Sequence, residues 1–221
     1  ASATLPLAVI PAGTANDFAR RLGLPSEVPE ACRLAALGGR TRRLELAWME
    51  PLDSSGERRP FVNVASAGLP APAARAARSW KRTLGSAAYA AGALAAGLTA
   101  RPVSARVEVD ERELFTGRAW QVTVAASGAF GAGAAVEEAD PADGALDVVA
   151  IPAGPRAGLV ALAYHLRSGG ITDHSPARHA RCRRAVVEVA PGTPFNVDGE
   201  LVPFGPARFG VTPAAYELVV G

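Results

Sequence analysis

Phe195-Asn196-Val197-Asp198-Gly199-Glu200-Leu201 reads as two short strands joined at Asp198-Gly199. Asp-Gly between apolar residues is a hairpin signal, because the tight two-residue turn needs positive φ at both central positions. Glu200 adds a second carboxylate two residues on, so the two acids share one face of the ribbon. Beside a bound phosphate donor, such a carboxylate accepts the proton of an attacking hydroxyl. A plain hairpin needs only Asp198 and Gly199, so the spacing admits both readings.

Outward from this hairpin, apolar and alternating runs predict further strands at Arg43 to Met49, Phe61 to Val64, Ser104 to Val109, Trp120 to Ala125, Leu146 to Ile151, Ala185 to Val189, Arg208 to Val211 and Tyr216 to Val219. Helical stretches are expected from about Ala71 through Leu98 and from about Arg156 to Leu166. Many strands at short spacing with few helices point to an antiparallel sandwich. The first 40 or so residues differ. Leu7-Ala8-Val9-Ile10 reads as a buried strand, Pro11 to Thr14 as a turn, and Asn16 to Leu22 as a helix stopped by Gly23 and Pro25. A second helix is expected over Pro29 to Leu37. The expected fold is an α/β fragment over residues 1–40, followed by a β-rich sandwich over 41–221.

Composition narrows the function classes. With 49% hydrophobic and 20% charged residues the chain has globular composition, and its apolar fraction argues against disorder. A net charge of +2 is too small to argue for nucleic acid. No run of about 18 apolar residues is present to form a spanning helix. Cys32 and Cys182 form no CxxC pair, which argues against a disulfide framework or a zinc site and makes a cytoplasmic protein the simplest expectation.

Three other stretches carry potential chemistry. In Pro11-Ala12-Gly13-Thr14-Ala15-Asn16-Asp17-Phe18, Gly13 permits close backbone approach, Thr14 offers a hydroxyl, and the helix start suits a phosphate; Thr14 or Asn16 as a simple helix cap is the alternative. Ala139-Asp140-Pro141-Ala142-Asp143-Gly144-Ala145-Leu146-Asp147 clusters oxygens that suit a hard cation, or forms a polar turn into a strand. Phe130-Gly131-Ala132-Gly133 is a Gly-rich turn or bulge. The basic run Arg178, Arg181, Arg183 and Arg184 is a solvated strand face or an attractor of anionic headgroups. Lys81 is an ordinary surface lysine or an interfacial one. His165, His174 and His179 lack metal spacing, and no Walker loop or Gly-x-Ser-x-Gly occurs.

Together these pieces resemble the bacterial diacylglycerol-kinase-like lipid kinases, relatives of sphingosine and ceramide kinases and, more distantly, of NAD kinase and phosphofructokinase. Ile10 to Arg20 is similar to the family's P-x-G-T-x-N-D-F-A-R signature, and Phe61 to Gly68 to its F-x-N-x-x-x-x-G. Leu84-Gly85 with Tyr89, Asp143 to Asp147, and Asp198 to Glu200 resemble L-G-x-x-x-Y, D-G-x-L-D and D-G-E, in the family's order. The resemblance implies an N-terminal α/β nucleotide domain, a C-terminal β-sandwich, and transfer of the γ-phosphoryl of ATP to a lipid hydroxyl with Mg2+. It implies Glu200 as general base with Asp198 beside it. The nucleotide would lie near Gly13, Thr14, Asn16 and Asp17, and a magnesium on the Asp143 side chain with the carbonyls of Asp140 and Ala145. A lipid substrate and peripheral contact with the inner face of the membrane follow from the same likeness, and edge strands leave a homodimer open.

The family's Gly-Gly-Asp-Gly-Thr nucleotide loop does not occur before Gly13, so the chain alone is expected to be an N-terminally truncated, inactive piece of a kinase. Ala132 and Glu137 stand where the family has Gly and Pro. The alternatives are a kinase for a soluble substrate such as NAD, and a lipid- or partner-binding module without catalysis.

Overall fold

The computed structural model describes residues 5–13, 16–53, 57–69, 101–130, 134–136, 139–156, 176–203 and 205–221. The two long helical stretches expected after Ala71 and Arg156 lie outside the described residues, Arg156 itself excepted. So do Thr14, Lys81, Ala132, Glu137, His165, His174 and the Gly131–Gly133 turn.

Two helices come first, α1 (Asp17–Arg21) and α2 (Val28–Leu37). Pro29 sits in the first turn of α2, where its missing N–H costs nothing, and Gly38 follows the last turn at φ +72°. Among the described residues thirteen strands follow: β1 (Arg40–Pro51), β2 (Arg59–Phe61), β3 (Val64–Gly68), β4 (Val103–Val109), β5 (Arg112–Ala125), β6 (Ala129–Phe130), β7 (Ala134–Ala135), β8 (Leu146–Pro152), β9 (Arg178–Cys182), β10 (Arg184–Val189), β11 (Phe195–Val197), β12 (Glu200–Val202) and β13 (Ala207–Val220). Eleven of them form one curled antiparallel sheet in the order β12-β11-β3-β5-β4-β10-β13-β1-β2, with β8 on the free edge of β5 and β9 beyond it. The remaining pair, β6-β7, is a separate ribbon.

Several expectations need correction. Leu7 to Ile10 is not a buried strand. Only Leu7 bridges, donating its N–H to the Glu217 carbonyl and accepting from Val219, while Leu7 and Ile10 stay exposed. Residues 5–39 therefore contribute two helices and one bridge, and they form no α/β layer among the described residues. Phe61 to Val64 is split between β2 and β3, because Val62-Asn63 bends to meet another turn, described below. Arg208 to Val211 and Tyr216 to Val219 join in the single strand β13, whose pairing with β1 shifts register between Leu44 and Leu46. Trp120 to Ala125 is only the second half of β5. Its first half pairs β4 across a turn in which Asp110 and Glu111 both take positive φ.

The main core lies on one face of this sheet. Phe209 is its centre, 5.6 Å from the Phe195 ring and 6.3 Å edge-on from Phe61. Met49, Val107, Val122, Val148 and Val187 pack in the same cluster. Burying such side chains stabilises by about 1.5–3 kcal/mol each. A second cluster around Trp120, Val149 and Ile151 forms on the opposite face, and a third joins Ala19 and Leu24 to Leu44 and Leu218. The third holds α1 and the residues just after it against the β1-β13 pair. Among the described residues, no helix is long and apolar enough to cross a membrane.

Candidate active site

The Asp198-Gly199 turn is as the sequence predicts, with φ +46° and +92°. It joins β11 to β12, and β11 pairs β3. The tertiary structure adds a latch. The Asp198 carboxylate accepts three backbone N–H groups, from Val62 (2.7 Å), Asn63 (3.0 Å) and Val64 (2.9 Å). The Asp198 N–H in turn donates to the Val64 carbonyl. The bend is held from its other side as well: Ala126 N–H donates to the Asn63 carbonyl, Ser127 N–H to that of Val62, and the Ser127 hydroxyl to Asn63 Oδ1 at 2.6 Å. Burial of the carboxylate pushes the Asp198 pKa up, opposed by the three amides and by the nearby Arg59 guanidinium. Asp198 is thus a fixed strut, while Glu200, on the next strand, is exposed and ion-paired with Arg59.

The Asp140–Ala145 loop has a different character. It wraps around Glu45 of β1, which is 2% exposed. The Gly144 N–H donates to Glu45 Oε2 at 2.5 Å, while Glu45 Oε1 is buried without a partner. Burial raises the Glu45 pKa to about 7; the Gly144 bond opposes the rise, and the nearby Asp143 and Asp140 add to it. Asp143 accepts from Ala145 N–H and pairs with Arg181 at 2.5 Å. Asp140 accepts from Ala142 N–H and from Arg42 at 2.8 Å. Among the described residues, no group of three or more Asp, Glu, His or Cys side chains converges as a cation site. The unpartnered Glu45 oxygen is the feature that fits a cation beside this loop.

In the Gly13 turn, Asn16 sits at the left-handed φ of +50° and does not cap α1. Its Oδ1 accepts the Gly13 N–H at 2.8 Å, and its Nδ2 donates to the Pro11 carbonyl at 2.9 Å. A Cβ at position 13 would lie 2.8 Å from Asn16 Oδ1, so a larger residue there would push aside the amide that braces the turn. Asp17 pairs with Arg20. Arg21 donates to the Ala139 carbonyl at 2.6 Å, which ties α1 to the start of the Asp140 loop. Tyr216 of β13 links the two acidic regions: its pKa is pushed up to about 12 by burial, then by Glu45 and Asp198, so its phenol lies within electrostatic reach of both.

Sequence reasoning missed Glu45 and Arg59, and it named Asp147 at the end of the acidic stretch without giving it a role of its own. Asp147 is 1% exposed, with Oδ1 2.7 Å from His179 Nε2 and Oδ2 unpartnered. Glu45 falls on the polar side of the alternation in β1, the signature of a solvent-facing residue, and no local signal marks it as buried. The basic run divides: Arg178 and Arg181 lie on β9, Arg181 engaged by Asp143, while Arg183 and Arg184 donate backbone N–H groups to Asp110.

The chain is similar to known proteins along nearly its whole length. Residues 63–220 match the family described as the YegS C-terminal NAD kinase beta sandwich-like domain, and residues 1–49 match the diacylglycerol kinase catalytic domain. A Mycobacterium tuberculosis protein named diacylglycerol kinase is 27% identical over 220 residues, covering 99% of this chain and 70% of that protein. A Pseudomonas aeruginosa protein named "Probable lipid kinase YegS-like" is 31% identical over 219 residues, covering 96% of this chain and 67% of that protein. The crystal structure of a diacylglycerol kinase from Bacillus anthracis superposes with a TM-score of 0.72 at 20% identity, covering 98% of this chain and 69% of that one, a likeness of fold. The chain belongs to the family of bacterial diacylglycerol-kinase-like and YegS-like lipid kinases.

Proposed function

We propose that the chain is the larger part of an ATP-dependent kinase that transfers the γ-phosphoryl group to a hydroxyl of diacylglycerol or a related lipid. The observation that carries this reading is the latched hairpin: three amides fix Asp198, and the hairpin holds the Glu200 carboxylate out on an exposed rim. Glu200 accepts the proton of the lipid hydroxyl as that oxygen attacks phosphorus. Asp198 holds the base in register, which matters because phosphoryl transfer depends chiefly on positioning and charge.

In this reading residues 1–40 close an ATP-binding domain and 41–221 form the lipid-kinase β-domain. The turn at Gly13, Thr14, Asn16 and Asp17 meets the nucleotide phosphates. Magnesium would be held by the Asp143 side chain, freed from Arg181, with the carbonyls of Asp140 and Ala145, and would supply positive charge against the phosphates or brace the loop. The lipid acceptor places the protein at the inner face of the membrane as a peripheral partner.

The test uses the full-length protein, labelled ATP with magnesium, and a panel of lipids. Glu200→Gln is expected to lower turnover about 10²–10⁴-fold while ATP binding persists. Wild-type turnover in that variant removes Glu200 from the role. The NAD-kinase-like description of the β-domain family favours including NAD as acceptor in the same panel. Label on NAD and on no lipid replaces the lipid reading with the soluble one.

A further inference from the structure

Arg59 stands out because its partner is the one carboxylate of the hairpin that the latch leaves exposed. It lies on β2, opposite Met49 of β1 and two residues before the buried Phe61, so a strand and not a loose loop carries it. Its guanidinium binds the Glu200 carboxylate and acts electrostatically on Asp198. It also lines a shallow, open surface groove with Glu57, Arg58 and Pro60, so there is free space beside Arg59. The neighbouring Arg58 is directed elsewhere, over the Trp48 ring at 4.1 Å. An ion pair this exposed contributes little to folding. Its position points to a role in the reaction.

We propose that Arg59 is the cation of the acceptor site. It holds the Glu200 carboxylate oriented before transfer, then turns to the oxygens of the transferred phosphoryl group as Glu200 takes the proton. This rests on the reading of Glu200 as the base. In the step, the lipid hydroxyl oxygen bonds to the γ-phosphorus and its proton passes to Glu200. The bond from that phosphorus to the β,γ-bridging oxygen breaks, and its electron pair leaves on ADP. Protonation removes the charge that held Arg59 just as the phosphoryl oxygens arrive in need of a partner. Guanidinium geometry suits both ligands, since its planar fork matches carboxylate and phosphate alike. The handover needs no further group, and its charge balances: one anion leaves the guanidinium as another reaches it.

The experiment measures kcat, KM for lipid and ATP, and melting temperature for Arg59→Ala, Arg59→Lys and Glu200→Gln in the full-length protein, with and without millimolar guanidinium ion. Arg59→Ala is expected to lower kcat on the order of 10²-fold, as removal of one charge-stabilising donor does elsewhere. KM for ATP should change little, and the melting temperature should stay within a few degrees of wild type. Guanidinium ion should restore part of the loss, and Lys should retain more activity than Ala. A kcat within about threefold of wild type in Arg59→Ala overturns the proposal. So does a loss that follows the melting temperature and that neither guanidinium nor Lys relieves. If Glu200→Gln turns over normally, the base reading falls and takes this proposal with it. If Glu200→Gln is inactive while Arg59→Ala is active, only the role of Arg59 falls.

Discussion

The molecule holds its acidic groups in two contrasting ways. At the Asp198-Gly199-Glu200 hairpin, three N–H donors answer one carboxylate and a guanidinium answers the other. At the Asp140–Ala145 loop, a buried carboxylate faces two more acids with one N–H on one of its oxygens and nothing on the other. The first arrangement is satisfied by the protein itself and makes a rigid mount. The second is unsatisfied, and a buried acid in that condition either takes up a proton or draws a cation. Acidic side chains near one another therefore have no common meaning; the donors around them decide whether they brace the fold or wait for a ligand.

The largest expected effect breaks the first region. Asp198→Ala leaves three amides without their acceptor and puts a Cβ-only residue at φ +46°. Losing hydrogen bonds to a charged group should cost about 3 kcal/mol or more, read as a lowered denaturation midpoint, and turnover should disappear with it. A midpoint within error of wild type shows that the latch does not form in solution.

The next effect sharpens the second region. The Glu45 pKa is raised by burial from 4.5 to about 7 in the folded chain. The folded state then binds more protons than the unfolded one between these values. Stability is fully present below about pH 4.5 and is lost as pH rises through about 7, by up to about 3 kcal/mol. Glu45→Gln should flatten this profile, and magnesium should protect the wild-type chain at pH 8 more than the variant. Parallel profiles for the two chains show that Glu45 does not titrate in this range.

The smallest effect lies at the rim of the same loop. Arg181→Ala removes the partner of Asp143, a half-exposed pair worth about 0.2–1 kcal/mol, so the midpoint should barely move. Freed of its arginine, Asp143 should bind magnesium more tightly by titration calorimetry. Weaker binding in the variant shows that Arg181 orients the loop and does not compete for it.

Most of the fold's strands were legible because period-two alternation and turn residues are local properties: β4, β8 and β10 lie within a residue or so of their predicted ends. The errors share one cause. Leu7 to Ile10 has the composition of a buried strand, but burial needs neighbours on both sides, and among the described residues it bridges β13 on one side alone, at Leu218. Arg208 to Val211 and Tyr216 to Val219 read as two strands locally, yet pairing with β1 on one side carries a single strand through both. Asn16 has the chemistry of a cap, but its left-handed backbone turns the side chain back onto Gly13.

The sequence by itself determined the hairpin at Asp198-Gly199, the glycine at position 13 as a point of close approach, the β-rich body and the order of motifs that mark the family. Each depends on residues within a few positions of one another. Only the tertiary structure decided that Asp198 grips residues 62–64, that Arg59 meets Glu200 across 141 positions of sequence, and that Glu45 is buried against a loop 99 residues away. Those partners are set by how the sheet curls, and the curl is a sum over many strand pairings that no short stretch of sequence contains.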